Sequence, residues 1–520
     1  MDLNKTISTL FHTIRYLKPI QVYARILLYI KKLVPNRINW NQNKELNTQP
    51  LILSKSIPLP HSIDGQSFKF LNLKKDFPDT IDWNYLGYGR LWTYNLNYFE
   101  YLGQKDMTPK IGTYLVNSYI NQLSTCRVGM EPYPLSIRCF NWIQFFIRHN
   151  ISNSKFDSAL FKQLNLLTHK IEYHLLGNHI LENGFALLFG AYYFNNIKFY
   201  SKAKKILISE LSEQILTDGA HFELSPMYHC IMLHRVMDCY NLVANNELFD
   251  KELFGFFKDK GELMLGWINA ISFSNGNIPL LNDAAFGIAP SLKELNDYAC
   301  RIGLNNKKRT VLNESGYKKF SSDKFELVAD VGAIGPDYQP GHSHADTFNF
   351  ELYINGRPVI VDTGTSTYEV NKIRFYERST SAHNTVVIGN RNSSEVWAGH
   401  RVAKRAQVQI LKDSETMVSA SHNGYKSLCV NHIRSFEMVD NEFKITDEIC
   451  SQGIAYLHFF PSEKIDIVDK SIVGSDFKID FLGVTNIDCI NTDYSPEFNS
   501  RLKRTSVRIK FNNKLVTIIK

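Results

Sequence analysis

The chain has 520 residues, of which 44% are hydrophobic, 21% charged and 13% aromatic. That composition can bury a sizeable core and excludes a disordered, collagen-like or coiled-coil protein, and the length suits two large domains or a few smaller ones. A formal charge of +8 is too diffuse to mark nucleic-acid binding, so no nucleic-acid partner is expected.

The charge is unevenly placed. Residues 1–37 hold seven Lys or Arg against Asp2 alone, a net +6, which leaves +2 for the other 483. Residues 22–30 are apolar on one helical face, so residues 15–32 predict a basic amphipathic helix within an N-terminal helical segment, 1–60. Such a helix suits a peripheral contact with an anionic membrane, or packing on the body with its lysines in water. No apolar core with a small-residue cleavage site follows, and no uncharged apolar run is long enough to span a bilayer. The expected location is cytoplasmic or peripheral to the inner membrane, with the periplasm as the alternative.

From residue 61 to about 308, apolar residues recur at helical spacing in 161–176, 186–199, 202–216, 230–245 and 254–272, punctuated by Gly177, Gly219 and Asn275-Gly276-Asn277. Sequential helices without a regular repeat predict an N-terminal (α/α) toroid, an incomplete barrel of helical hairpins. The texture changes near 310. Runs of period two at 325–329, 348–354, 359–361, 384–388, 406–410 and 507–511 predict a C-terminal antiparallel β-sandwich over 309–520, with Asn355-Gly356 as a hairpin turn. The boundary is placed in the polar stretch 303–315. None of the eight cysteines forms a C-x-x-C pair, and most sit in apolar runs. They are expected to be free, buried thiols in a reducing compartment.

Reactive residue types concentrate in three places. In Gly341-His342-Ser343-His344-Ala345-Asp346 the two histidines share a face if the chain is extended. Asp362 ends a short predicted strand and His383 begins another. Two imidazoles and a carboxylate are a set that zinc favours, while surface or core histidines are the plainer reading. Gly177-Asn178-His179 leads through Glu182 to Asn183 between two apolar helices, where Asn178 could equally be a helix cap. Asp218, His221, Glu223, Pro226, Tyr228 and His229 precede a further helix. There Tyr228 could be packing, and Asp218 with Glu223 could serve a hydrolase if suitably separated. Arg138, Asn141 and Trp142 share a helical face that could line a cleft. Trp92 and Tyr94 lie in an aromatic and polar run suited to stacking on sugars, and Arg374, Arg378 and Arg401 could meet sugar carboxylates or sulfates. Core packing competes for Trp92 and Trp142.

In chain order, Pro134-Leu-Ser136-Ile-Arg138-Cys-Phe-Asn141-Trp142, Gly177-Asn178-His179 with Asn183, and Glu223-Leu-Ser-Pro226-Met-Tyr228-His229 precede Gly341-His342-Ser-His344-Ala-Asp346, Val361-Asp362-Thr-Gly364 and Ala382-His383-Asn384-Thr-Val386. This succession resembles the heparinase II/III family of polysaccharide lyases, and the related alginate and oligoalginate lyases. The resemblance implies an (α/α) toroid followed by an antiparallel sandwich. It also implies β-elimination across the C4–O4 bond of a uronate in an anionic polysaccharide: heparosan-like or heparan sulfate-like, alginate-like, or a capsular or exopolysaccharide. Asn178 and His179 would then hydrogen-bond the uronate carboxylate, with Glu182 behind them, and Tyr228 would serve as both base and acid or share the two steps with His342, depending on the uronate configuration. A phenol titrating near 10 must be lowered to act as base at neutral pH. By the same resemblance His344, Asp362 and His383 hold one structural Zn²⁺, and His342 faces the cleft while His344 faces the metal, which needs a bend. The alternative is a non-catalytic glycan-binding or polysaccharide-assembly protein on the same scaffold.

Overall fold

The computed structural model describes residues 3–33, 46–305, 310–439 and 442–520. Residues 34–45 of the expected N-terminal segment and Lys307-Lys308-Arg309 of the expected boundary lie outside the described residues.

Two helices lead, α1 (Leu3–Ile14) and α2 (Pro19–Leu33). A small antiparallel sheet follows, with β1 (Ile63–Asp64), β2 (Ser67–Phe70) and β3 (Leu73–Asp76). The helical region continues with α3 (Gly89–Tyr98), α4 (Pro109–Gln122), α5 (Pro132–His149), α6 (Ser154–Thr168), α7 (Gly177–Tyr193), α8 (Ile197–Gln214), α9 (Pro226–Asn245), α10 (Glu252–Ile271) and α11 (Leu292–Arg301). Two predicted segments break differently in the structure. Segment 161–176 stops at Thr168, and the turns that follow reach Leu176 and Gly177, whose φ of 63° and 60° set the start of the next helix. Segment 186–199 is two helices: Asn195 is left-handed, and the Asn196 side chain accepts from the N–H groups of Lys198 and Phe199, which starts α8.

Helices α5, α7 and α9 pack side by side, with α6, α8 and α10 returning behind them, which is the (α/α) toroid arrangement. Each inner helix is separated from the next by one return helix, so the inner helices run the same way. Their N-termini therefore gather at one end, and that end carries Tyr133, Asn178, His179 and Tyr228. The aromatic excess fills the toroid core: Trp83 stacks on Phe99 at 5.1 Å between ring centroids, and Tyr119 and Trp142 close around them.

The sandwich pairs a four-stranded sheet with a nine-stranded one. The smaller sheet is β4 (Tyr317–Ser321), β5 (Phe325–Asp330), β6 (Phe350–Ile354) and β7 (Arg357–Ile360), in sequence order. Asn355 and Gly356 turn β6 into β7 with φ of 51° and 72°, the paired positive angles of a tight hairpin. The short helix α12 (Lys372–Glu377) and the strand β8 (Val386–Ile388) come next, then the two-stranded ribbon β9 (Val396–Trp397) and β10 (Arg401–Val402). The larger sheet adds β11 (Val408–Asp413), β12 (Met417–His422), β13 (His432–Val439), β14 (Glu442–His458), β15 (Asp466–Val468), β16 (Ser471–Val473), β17 (Lys478–Tyr494) and β18 (Leu502–Ile519). Its order is β11-β12-β13-β14-β18-β17-β16-β15, with β8 also on β14. Phe320, Phe325, Leu352 and Ile354 from one sheet meet Phe436, Phe443, Ile479 and Phe511 from the other in a single core. All eight cysteines are unpaired. Cys139, Cys230 and Cys239 are buried, but Cys300 on α11 and Cys429, Cys450 and Cys489 in the sandwich are exposed, so an apolar run did not guarantee burial.

Candidate active site

The inner-helix N-termini meet an irregular stretch of the sandwich, residues 331–349, that forms no strand. Gly177 opens α7 at a point where a Cβ would come within 2.6 Å of Glu223 Oε1, so only glycine lets the helix start against that carboxyl. Asn178 is buried there, and its backbone N–H donates to Glu223 Oε1 at 2.9 Å. Its side-chain amide lies 3.5 Å from both Glu223 Oε2 and His342 Nε2. His179, the next residue, keeps a third of its side chain open and sets Nδ1 3.2 Å from Glu172 Oε1. Burial alone would lower the His179 pKa, but the Glu172 carboxylate reverses the sign and the imidazole is raised.

Tyr228 stands on the first turn of α9. Ser225 caps that helix, accepting from the Tyr228 N–H and donating its own hydroxyl to Asp283 O at 2.6 Å. The phenol ring lies 3.8 Å from the His342 ring, and its Oη is 3.2 Å from Tyr368 Oη. The structure thus brings Asn178 and Tyr228 each against His342, with His179 next to Asn178 on the same helix turn. The expectation of a lowered phenol is reversed: burial dominates and pushes Tyr228 up, so the resting phenol is protonated. Burial also pushes up Glu223, against the pull of His342.

Asp283, which sequence reasoning missed, organises the site. It lies between α10 and α11, fully buried. Its Oδ2 is 3.1 Å from His342 Nδ1 and its Oδ1 is 2.9 Å from His344 Nε2. Arg374 donates to both of its oxygens, reaching Oδ2 at 2.7 Å. Its N–H donates to His342 O at 3.0 Å, and neighbouring Asn282 accepts from the His344 N–H. Burial would raise this carboxyl, but the guanidinium and the two histidines hold it well below the usual range. In the Leu-Asn282-Asp283-Ala stretch no motif or spacing betrays this role. The two histidines of the H-x-H do diverge, through a loop instead of a strand: His342 is partly open and His344 fully buried, with Asp283 between them.

Most of the expected sugar-contacting residues are placed elsewhere. Trp92 is buried and donates Nε1–H to Leu73 O at 3.0 Å, and Trp142 packs in the aromatic core. Arg138 is fully buried among Gln163, Asn97 and Gly129 acceptors, because its helical face turns into the toroid core. Asn141 on the same face donates to Tyr98 O. Glu182 is buried in an ion pair with Arg235 at 3.0 Å. Arg378 is buried with its guanidinium on the carbonyls of Ser343, Ala398 and Arg401, so it fixes the His342 loop instead of meeting substrate. Tyr94 alone of this set stays half-exposed, donating to Glu131 Oε1 at 3.1 Å. The paired-carboxylate alternative also fails, because Asp218 is taken up by Asn313 and Ser315.

For the expected metal, His383 Nδ1 is 2.7 Å from Asp362 Oδ2, and the His344 and His383 rings are 5.3 Å apart. His344 Nδ1, His383 Nε2 and Asp346 Oδ2 are buried without hydrogen-bond partners. That donor chemistry fits a divalent cation. Among the described residues, however, no three His, Cys, Asp or Glu side chains converge on one point.

Two family profiles match consecutive stretches that together make up more than half of the chain: "Heparinase II/III N-terminus" over residues 135–301 and "Heparinase II/III-like, C-terminal" over 305–515. The chain belongs to the heparinase II/III family. Among curated members, the heparin-sulfate lyase of Bacteroides stercoris is 27% identical over 359 residues, 61% of this chain and 52% of that protein. The heparin-sulfate lyase of Pedobacter heparinus is 26% identical over 42% of this chain and 36% of that protein. The chain thus aligns with about half, or less, of the curated relatives it matches. A solved heparinase III superposes with a TM-score of 0.67 at 16% identity, covering 95% of this chain and 89% of the other. Another heparinase III gives 0.61 at 19%, covering 96% and 88%. At these identities the likeness is one of fold, and it matches the toroid-plus-sandwich architecture.

Proposed function

We propose that this heparinase II/III member is a polysaccharide lyase that cleaves a uronate-containing glycosaminoglycan by β-elimination. The observation that carries the reading is the contact of both Asn178 and Tyr228 with His342 at the seam, with His179 following Asn178 on α7. A uronate carboxylate entering between α7 and the His342 loop would meet the Asn178 amide and the raised His179 imidazole. Both favour the charge that spreads onto that carboxylate as the C5 proton leaves. The N-termini of α7 and α9 add favourable dipole ends. His342, oriented through Nδ1 by Asp283, takes the C5 proton at Nε2. The C5 electron pair forms the C4=C5 bond as the C4–O4 bond breaks, and the protonated Tyr228 phenol hands its proton to O4. Glu223, held up by burial, shares hydrogen bonds with His342 and Asn178 before substrate arrives.

The proposal extends to a structural zinc held by His344, Asp362 and His383. Its support is the pair of buried, unpartnered imidazole nitrogens. Bound there it would order the chain behind His342 and take no part in proton transfer. Metal analysis of the purified protein tests this, with His383→Ala expected to lose the ion.

The activity test is ultraviolet absorbance of the conjugated unsaturated uronate. Heparosan, heparan sulfate, alginate and a capsular polysaccharide are supplied in turn. Absorbance should rise on a glycosaminoglycan, and Tyr228→Phe should lower the rate by about 10²–10⁴ with the thermal midpoint retained. Glycan binding with no absorbance gain on any polymer would instead favour the assembly-protein alternative.

A further inference from the structure

The N-terminal helices are amphipathic in the inverted sense. Their polar side faces the body. Thr9 Oγ1 donates to Glu395, Trp397 Nε1–H donates to Thr13 Oγ1, and the Arg405 guanidinium lies 3.9 Å over the Tyr16 ring. Lys18 pairs with Glu213, and the fully buried Gln21 amide donates to Leu175 O at 3.1 Å and to Tyr338 O at 3.4 Å. These contacts fasten the pair across the seam, on the loops leading to Asn178 and His342. The apolar side faces out. Ile7, Phe11 and Ile14 line one face of α1, and Tyr23, Ile26 and Ile30 one face of α2, each more than half exposed, with Phe11 at 61%. A helix docked only on its own protein turns this side inward.

We propose that this outward face docks on an anionic lipid bilayer. Charge complementarity argues for that occupant: by sequence, residues 1–37 carry a net +6, and the rest of the chain is nearly neutral. Apolar side chains entering the headgroup boundary, with Lys and Arg meeting anionic headgroups, are the two attractions that hold an interfacial helix. Neither described helix is long and apolar enough to cross the bilayer, so the pair lies along the surface. Because its polar side is committed to both halves of the protein, docking holds the catalytic seam beside the membrane. The lyase reading is not needed for this, and the binding test succeeds or fails whatever reaction the cleft performs.

The test is flotation of the full chain with phosphatidylcholine vesicles, with or without phosphatidylglycerol at about 3:1. The protein should float with the anionic vesicles, stay down with the neutral ones, and release as salt rises. Phe11→Ser/Ile14→Ser/Ile26→Ser should weaken binding about tenfold or more, with the thermal midpoint and glycan turnover unchanged. Three results overturn the proposal: no flotation on anionic vesicles, flotation that the triple variant retains, or equal binding to neutral vesicles. Light scattering that shows a dimer which the triple variant splits, without vesicle binding, assigns the face to a second copy and also overturns it.

Discussion

The two sides of the cleft are built by different means. On the helical side Asn178, His179 and Tyr228 stand on first turns, where a glycine start, a serine cap and Pro226 set the backbone, and Glu172 and Glu223 hold the polar groups from the same half. On the sandwich side His342 stands on a loop with no strand partner, and Asp283 from the helical half holds it together with His344 and Arg374. One side is positioned by local structure, the other by a buried ionic hub reaching across the seam. Damage should therefore stay local on the first side and spread on the second.

The sharpest way to break that contrast is Asp283→Ala. It leaves the buried Arg374 charge unpaired and releases two histidines, so denaturant unfolding should show a loss of about 3–5 kcal/mol. A loss under about 1 kcal/mol would mean the loop is held by something else. On the helical side Glu172→Gln should cost less stability and act mainly on pH. The His179 pKa is raised in the folded protein, so the imidazolium that assists the uronate is present below that pKa and lost as pH climbs through it. Removing the carboxylate should move the alkaline fall of kcat/KM toward lower pH. An unmoved profile would separate His179 from the reaction. The smallest effect belongs to Gln21→Ala, which leaves the Leu175 and Tyr338 carbonyls without their shared donor. Thermal unfolding should report about 1–2 kcal/mol, and an unchanged midpoint would show that the N-terminal pair does not fasten the seam.

The same contrast governs what the sequence revealed. Periodicity exposed α8, α9 and α10, and Asn355-Gly356 exposed its hairpin, because those signals are local. The motif order exposed Asn178, His179, Tyr228 and His342 as a set. Asp283 stayed hidden, since a carboxylate chosen by what reaches it from 59 and 91 residues away leaves no local pattern. Arg138 and Trp142 misled for the converse reason: helical spacing tells which residues share a face, and the fold decides whether that face meets a cleft or a core. The H-x-H needed its bend, and the structure supplies it as a loop around Asp283. Tyr228 carries the opposite pKa direction from the one its expected role as base required, because burial at the seam outweighs the hydrogen bond from Tyr368.

The most direct test of a single site shared between the halves is a double-mutant cycle on glycosaminoglycan cleavage, pairing Asn178→Ala on the helical side with His342→Ala on the sandwich side. If both act on one transition state, each should lower kcat/KM by about 10²-fold or more and the double variant should fall little further than the worse single. Losses that simply multiply would place the two residues in independent roles and contradict a seam-centred site.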